Sequence, residues 1–168
     1  MHIPVEIERK YVISLPNVAI LTAQSGYTVS EIEQTYLESE PAVTHRVRAR
    51  RRKDKTVYTE TKKVRIDRMS VFEDEHEIDE CDYKALLLKK AQGTVTLHKT
   101  RHTFEYKGQL FEVDVYPEWT RSAVLETELA TRETEVEFPD FITVIKEVTG
   151  DKKYSNASMS HSFPDELM

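Results

Sequence analysis

Glu6-Ile7-Glu8-Arg9-Lys10 sets two carboxylates and an ammonium at every second position near the start of the chain. A β-strand turns successive side chains to opposite faces, so Glu6, Glu8 and Lys10 share one face and Val5, Ile7, Tyr11 and Ile13 the other. The pattern recurs along the sequence. Arg46, Arg48 and Arg50 alternate with His45, Val47 and Ala49. Glu60 and Lys62 share a parity, as do Glu73, Glu75 and Glu77 against Phe72 and Ile78. Lys99 and Arg101 follow, then Glu112 and Asp114 against Phe111, Val113 and Val115, then Glu126 and Glu128 against Leu125 and Leu129. Charge outward and apolar inward accounts for any one of these strands. Like charges repeated on one face cost stability without a counter-ion. Their recurrence, with bases interspersed, reads as an enclosed cavity where acids hold a cation and bases hold phosphate. The apolar faces then point outward, under the helices.

The chain has 168 residues, enough for one domain over 1–168 with a real core. Charged residues are 32% and hydrophobic residues 39%, well mixed, which argues against disorder. The net charge of −6 argues against nucleic-acid or membrane affinity through bulk charge. One cysteine, Cys81, excludes an internal disulfide and suits a reducing cytosol; packing is expected of it, not reactivity. No signal-peptide pattern and no membrane-length apolar run occur, so a cytoplasmic protein is expected. Four glycines leave no phosphate-cradling glycine loop, and GxxxxGK[ST] is absent. His2, His45, His76, His98, His102 and His161 show no i,i+4 zinc pattern, and oxygen donors without clustered imidazole or thiolate favour Mg²⁺ or Mn²⁺.

Alternation predicts strands near 5–13, 31–38, 43–51, 56–64, 71–79, 95–104, 110–116 and 124–130. Helices are predicted over 17–24, over 82–92 with Asp82 as N-cap, and over 139–148 between Pro139 and Gly150. The tail from Ser155 reads as short helix or coil. The basic run 50–55 reads as a solvated hairpin tip. Strands on short connections predict a mainly β (α+β) fold built on an antiparallel sheet, and closure into a barrel would remove the exposed edges.

Glu6-x-Glu8-x-Lys10 resembles the N-terminal signature of the CYTH superfamily, the triphosphate tunnel metalloenzymes. Further segments resemble that family in order: Glu33-Gln34-Thr35-Tyr36-Leu37, Arg46-Val47-Arg48, Thr61-Lys62, Glu73-x-Glu75, Lys99-Thr100-Arg101, Glu112-Val113-Asp114-Val115 and Leu125-Glu126-Thr127-Glu128. The stretch from Val148 to Asn156 resembles the C-terminal segment of its bacterial members. Glu60 departs from the pattern, standing where those members often carry a small polar residue. The resemblance implies a closed eight-stranded antiparallel β-barrel with a few peripheral helices, a triphosphate-bearing small molecule as substrate, and a divalent metal. It makes Glu6, Glu8 and Glu128 the metal ligands. Glu75, Asp114 and Glu126 would position water or a second metal. Lys10, Arg46, Arg48, Lys62, Lys99, Arg101 and Lys152 would grip phosphate. Hydrolysis of inorganic tripolyphosphate, as in bacterial inorganic triphosphatases, is the leading expectation. Class IV adenylate cyclase, thiamine or nucleoside triphosphatase, and a non-catalytic polyphosphate-binding module are the alternatives. A single-stranded RNA-binding barrel would want aromatics interleaved with the bases; here they alternate away. Neither nucleic acid nor membrane is expected as a partner, and a homodimer is compatible with the sequence.

Overall fold

The computed structural model describes residues 5–167; His2 lies outside them. Among the described residues nine strands form one sheet: β1 (Val5–Ser14), β2 (Ser25–Tyr36), β3 (Val43–Arg52), β4 (Lys55–Arg65), β5 (Ser70–Ile78), β6 (Leu97–Tyr106), β7 (Gln109–Val115), β8 (Ser122–Glu128) and β9 (Val144–Glu147). The strand order is β5-β4-β3-β2-β6-β7-β8-β1-β9, and β5 also pairs with β1. That pairing, Val5 with Phe72, Glu6 with Val71 and Ile7 with Ser70, closes eight antiparallel strands into a barrel, with β9 as an extra strand on β1. Closure leaves no free edge among the eight and separates an inside from an outside.

The helices sit outside the barrel's strands in sequence and are short. Helix α1 (Val18–Thr22) is capped by Asn17, whose side chain accepts a hydrogen bond from the Ala19 amide. Helix α2 (Glu80–Leu87) starts earlier than the sequence predicts: Asp79, not Asp82, is the N-cap, and its carboxylate accepts from the Asp82 amide. It also ends well before Gln92. Cys81 is exposed on it and does not pack. Helix α3 (Asn156–Met159) occupies the tail, as expected. The helix predicted over 139–148 does not form. The chain turns at 139–142, with the Ile142 amide on the Pro139 carbonyl, then runs as β9 along β1. Gly150, at φ +71, ends no helix; a Cβ there would stand 2.3 Å from Arg68 Cγ and 2.8 Å from the Arg68 carbonyl oxygen. It lets the C-terminal segment pass tightly over the β4–β5 turn.

Apolar burial occupies three places. Tyr11, Ile13, Phe104, Phe111, Val113 and Leu125 form a layer on the outer face, covered by Leu21 of α1 and by Phe138, Phe141 and Ile142. Val47 packs on the outer face under Tyr83, Leu86 and Leu87 of α2. The third cluster joins Val12, Tyr36, Leu97 and Val124 to Tyr116, Trp119, Tyr154 and Met159. By alternation those strand residues share the parity of Lys10, Gln34, Lys99 and Glu126, so the cluster plugs one end of the barrel's interior. The expected inversion, apolar outward and charge inward, therefore holds except at this plug.

Phe111 is fully buried in the outer layer, stacked on Phe104 with ring centroids 5.5 Å apart. Phe111→Ala is expected to cost about 3–5 kcal/mol of stability, read from urea unfolding. An unchanged midpoint would mean that the outer layer is not the supporting core.

Candidate active site

The barrel encloses a cavity of about 660 Å³, open to solvent and lined chiefly by ions. β1 contributes Glu6, Glu8 and Lys10; β3 contributes Arg46, Arg48 and Arg50; β5 contributes Glu73 and Glu75; β6 and β7 contribute Arg101 and Glu112; β8 contributes Glu126 and Glu128. Lys152 lines it from the C-terminal segment. Cross-strand register brings these together: Glu8 lies opposite Glu128, and Lys10 opposite Glu126.

Of the residues singled out from sequence, Lys62, Lys99 and Asp114 do not line the cavity, and Lys62 faces away from it. Arg46 pairs with Thr61 and Arg48 with Thr59, so Thr59, Thr61 and Lys63 turn inward and Glu60 and Lys62 turn outward. Lys62 is exposed; Lys63 takes its place, with Nζ 3.6 Å from Glu6 Oε2 and 3.3 Å from Glu73 Oε2. Glu60 lies outside between His45 and His76, at 2.7 and 3.2 Å. The small polar residues on the inward parity of β4 are Thr59 and Thr61. Arg65 and Arg68, also unforeseen, line the cavity near the C-terminal segment.

Asp114 and Lys99 lie buried behind the cavity wall. Lys99 Nζ donates to Asp114 Oδ2 at 2.7 Å. Arg101 grips the same carboxylate twice, Nε to Oδ1 at 2.7 Å and Nη2 to Oδ2 at 2.8 Å, and reaches Glu112 with Nη1 at 2.5 Å. Burial alone would raise the Asp114 pKa, but Arg101 and Lys99 outweigh it and hold the carboxyl far below its usual range. Burial pushes Lys99 down to about 7, helped by Arg101 and Arg48, against the pull of Asp114. Lys10 donates to the Tyr154 carbonyl at 3.3 Å and stands 3.2 Å from Glu126. Despite its burial Glu126 is held at about 2, chiefly by Lys10 and Arg101.

Glu6 behaves oppositely. Burial, then a hydrogen bond with Glu73, raises Glu6 to about 8 against the pull of Lys63. Burial is also the largest cause raising Glu8, Glu112 and Glu128, and neighbouring carboxylates add to it. Among the described residues Glu8 and Glu128 have no cation within 4.0 Å and Glu6 only Lys63, and such carboxyls suit a hard cation with oxygen ligands. Among the described residues no group of three or more His, Cys, Asp and Glu is already drawn together as a metal cage. The donor set fits by its chemistry and by its placement on adjacent strands.

These shifts fix a pH dependence. A carboxyl with a raised folded-state pKa holds its proton more tightly when folded, so folding is favoured as pH falls from about 8 toward the ordinary carboxylate range. Lys99 opposes this only at higher pH, between about 7 and its ordinary 10.5. Glu73 and Glu126, at about 2, withdraw their support as pH falls below the ordinary range. The ligand-free protein is expected to melt higher at about pH 5 than at about pH 8, and lower again below about pH 4. A melting temperature rising steadily from pH 5 to pH 8 would contradict the enclosed acids. Asp114→Asn, which leaves buried Lys99 with no carboxylate and Arg101 with Glu112 alone, is expected to cost about 3–5 kcal/mol by urea unfolding; a substitution without effect would remove Asp114 from the centre of the network.

No protein-family model matches the sequence, and no curated protein sequence matches it. Solved structures do. The inorganic triphosphatase NE1496 is 25% identical with a TM-score of 0.58, covering 98% of this chain and 100% of that one. A conserved hypothetical protein from Pyrococcus furiosus, 20% identical over 76% of this chain and 80% of that one, has a TM-score of 0.57. The putative adenylyl cyclase HpAC1 from Hippeastrum, whose structure is described as revealing a dominant triphosphatase activity, is 16% identical over 76% and 81%, with a TM-score of 0.52. The last two speak for the fold alone. Eight strands closed around inward acids and bases give the chain a fold shared with these neighbours and similar to that of the CYTH-like, triphosphate-tunnel proteins.

Proposed function

We propose that the chain is a divalent-metal-dependent triphosphatase that hydrolyses inorganic tripolyphosphate to pyrophosphate and phosphate. The observation that carries this reading is the division of the cavity wall. Acids on β1 and β8 face one part of the space, and Arg46, Arg48 and Arg50 on β3 face another. A polyphosphate needs cations along its length, and its metal needs oxygen ligands beside them. The 25% identity to an inorganic triphosphatase across the whole of both chains supports the same substrate class.

Glu6, Glu8 and Glu128 would hold Mg²⁺ or Mn²⁺, which supplies charge neutralisation at the phosphate oxygens. Arg46, Arg48, Arg101, Lys10, Lys63 and Lys152 grip the triphosphate and fix its direction. Asp114, locked by Lys99 and Arg101, keeps two cations in place and takes no proton. Glu126 does the same for Lys10. Among the cavity acids not assigned to the metal, Glu75 is the least tightly paired, with one hydrogen bond from Thr61 at 2.7 Å and Arg46 at 3.8 Å. It orients the attacking water and takes its proton. The water oxygen bonds to the terminal phosphorus, the bond to the bridging oxygen breaks, and phosphate and pyrophosphate leave. Positioning and charge stabilisation carry such a reaction.

Tripolyphosphate, ATP, GTP and thiamine triphosphate should be offered with Mg²⁺ and Mn²⁺ while phosphate and cyclic AMP are both measured. Phosphate release fastest from tripolyphosphate is expected. Cyclic AMP as the main product would make the chain a cyclase, and binding without turnover would make it a polyphosphate receptor. Glu8→Gln and Glu128→Gln are expected to abolish metal-dependent turnover in folded protein, and full activity in both would remove them as ligands. Arg48→Ala should act mainly on KM.

A further inference from the structure

Arg48 is held differently from the cations around it. Lys10 has Glu126, Arg46 has Glu73 and Glu75, and Lys99 and Arg101 share Asp114. Among the described residues, no carboxylate oxygen lies within 4.0 Å of the Arg48 guanidinium. Its partner is a neutral amide: Nε and Nη2 both donate to Gln34 Oε1, at 3.1 and 2.8 Å. Gln34 is fully buried and Arg48 is 9% exposed on the cavity wall.

The hydrogen-bond directions are forced. A guanidinium only donates, so the Gln34 oxygen must face Arg48 and the amide nitrogen must face away. That nitrogen donates to the Tyr36 hydroxyl at 2.7 Å. The Tyr36 oxygen is thereby an acceptor, and its own proton is left for another acceptor; Tyr36 also lines the cavity. Gln34 thus fixes the plane of one guanidinium and the donor direction of one phenol without adding charge. Burial, with Arg46 and Arg101 nearby, pushes Arg48 down to about 9, as expected of a cation short of counter-charge. A glutamate in the same place could make the same two hydrogen bonds to Arg48, but as a neutralising ion pair.

We propose that Gln34 is a positioning residue for triphosphate binding: its amide aims Arg48 and leaves it unneutralised, so that a phosphate oxygen becomes its counter-ion. The inference rests on the triphosphate reading above and adds a reason why an amide stands at this position.

The test is Gln34→Glu, nearly isosteric, in the full chain. Three quantities are measured: the ligand-free melting temperature, the affinity for a non-hydrolysable imido analogue of tripolyphosphate with Mg²⁺, and the KM and kcat for tripolyphosphate. The proposal expects a melting temperature at or above that of the wild type, with affinity lower by at least about tenfold. The loss should fall on KM and leave kcat within about threefold. Packing alone predicts the reverse, a lower melting temperature and unchanged affinity in the folded protein. Q34E that binds like the wild type, or that melts well below it, overturns the positioning role and leaves the triphosphatase reading standing. A wild type that neither binds the analogue nor turns over tripolyphosphate overturns both.

Discussion

The barrel's interior depends on Asp114. It is one carboxylate, buried with Lys99, taking three hydrogen bonds from two cations on the facing strand. Isolated buried charges carry heavy desolvation penalties, and a pair tolerates burial only when its remaining hydrogen bonds are made. Asp114 meets that condition, and so fixes Lys99 and Arg101 in one geometry. Arg101 then extends to Glu112 at the cavity wall, where ligands have access. Counted with Glu112, this knot holds two carboxylates against two cations, so the remaining charges that line the cavity need not balance it.

What remains unbalanced is the useful part. Among the described residues Glu8 and Glu128 have no cation within 4.0 Å and Glu6 has only Lys63 at 3.6 Å, while Arg48 has no carboxylate within 4.0 Å. A metal–polyphosphate complex carries both complements in one molecule. The apolar stability that carries this strain sits elsewhere: in the outer layer around Phe104 and Phe111, and in the plug around Tyr116 and Trp119.

Much of this was legible in the sequence because a strand's period is two and the barrel's inside is polar. In β1, β3, β7 and β8 one parity is charged and the other largely apolar, so the inward face declares itself. β4 does not declare itself. Thr59, Thr61 and Lys63 lie inward, Glu60 and Lys62 outward, and adjacent lysines satisfy either parity. Only the register against β3, Arg46 opposite Thr61, decides it, and that is a property of two strands. The register of Gln34 with Arg48 was hidden for the same reason. The segment 139–148 failed differently. Proline before it and glycine after it mimic helix punctuation, yet pairing with β1 outweighs local preference there. Cys81 was expected to pack because cysteines usually do, but α2 buries only Tyr83 fully and leaves Cys81 in water.

The central claim is that one enclosed space brings the acids of β1 and β8 and the arginines of β3 onto the same ligand. The most direct measurement is an anomalous-scattering map from crystals grown with Mn²⁺ and an imido analogue of tripolyphosphate. The account predicts a manganese peak inside the barrel against Glu6, Glu8 and Glu128, with phosphate density reaching Arg48. Manganese and analogue bound on the outer surface, with the interior left to water, would contradict it.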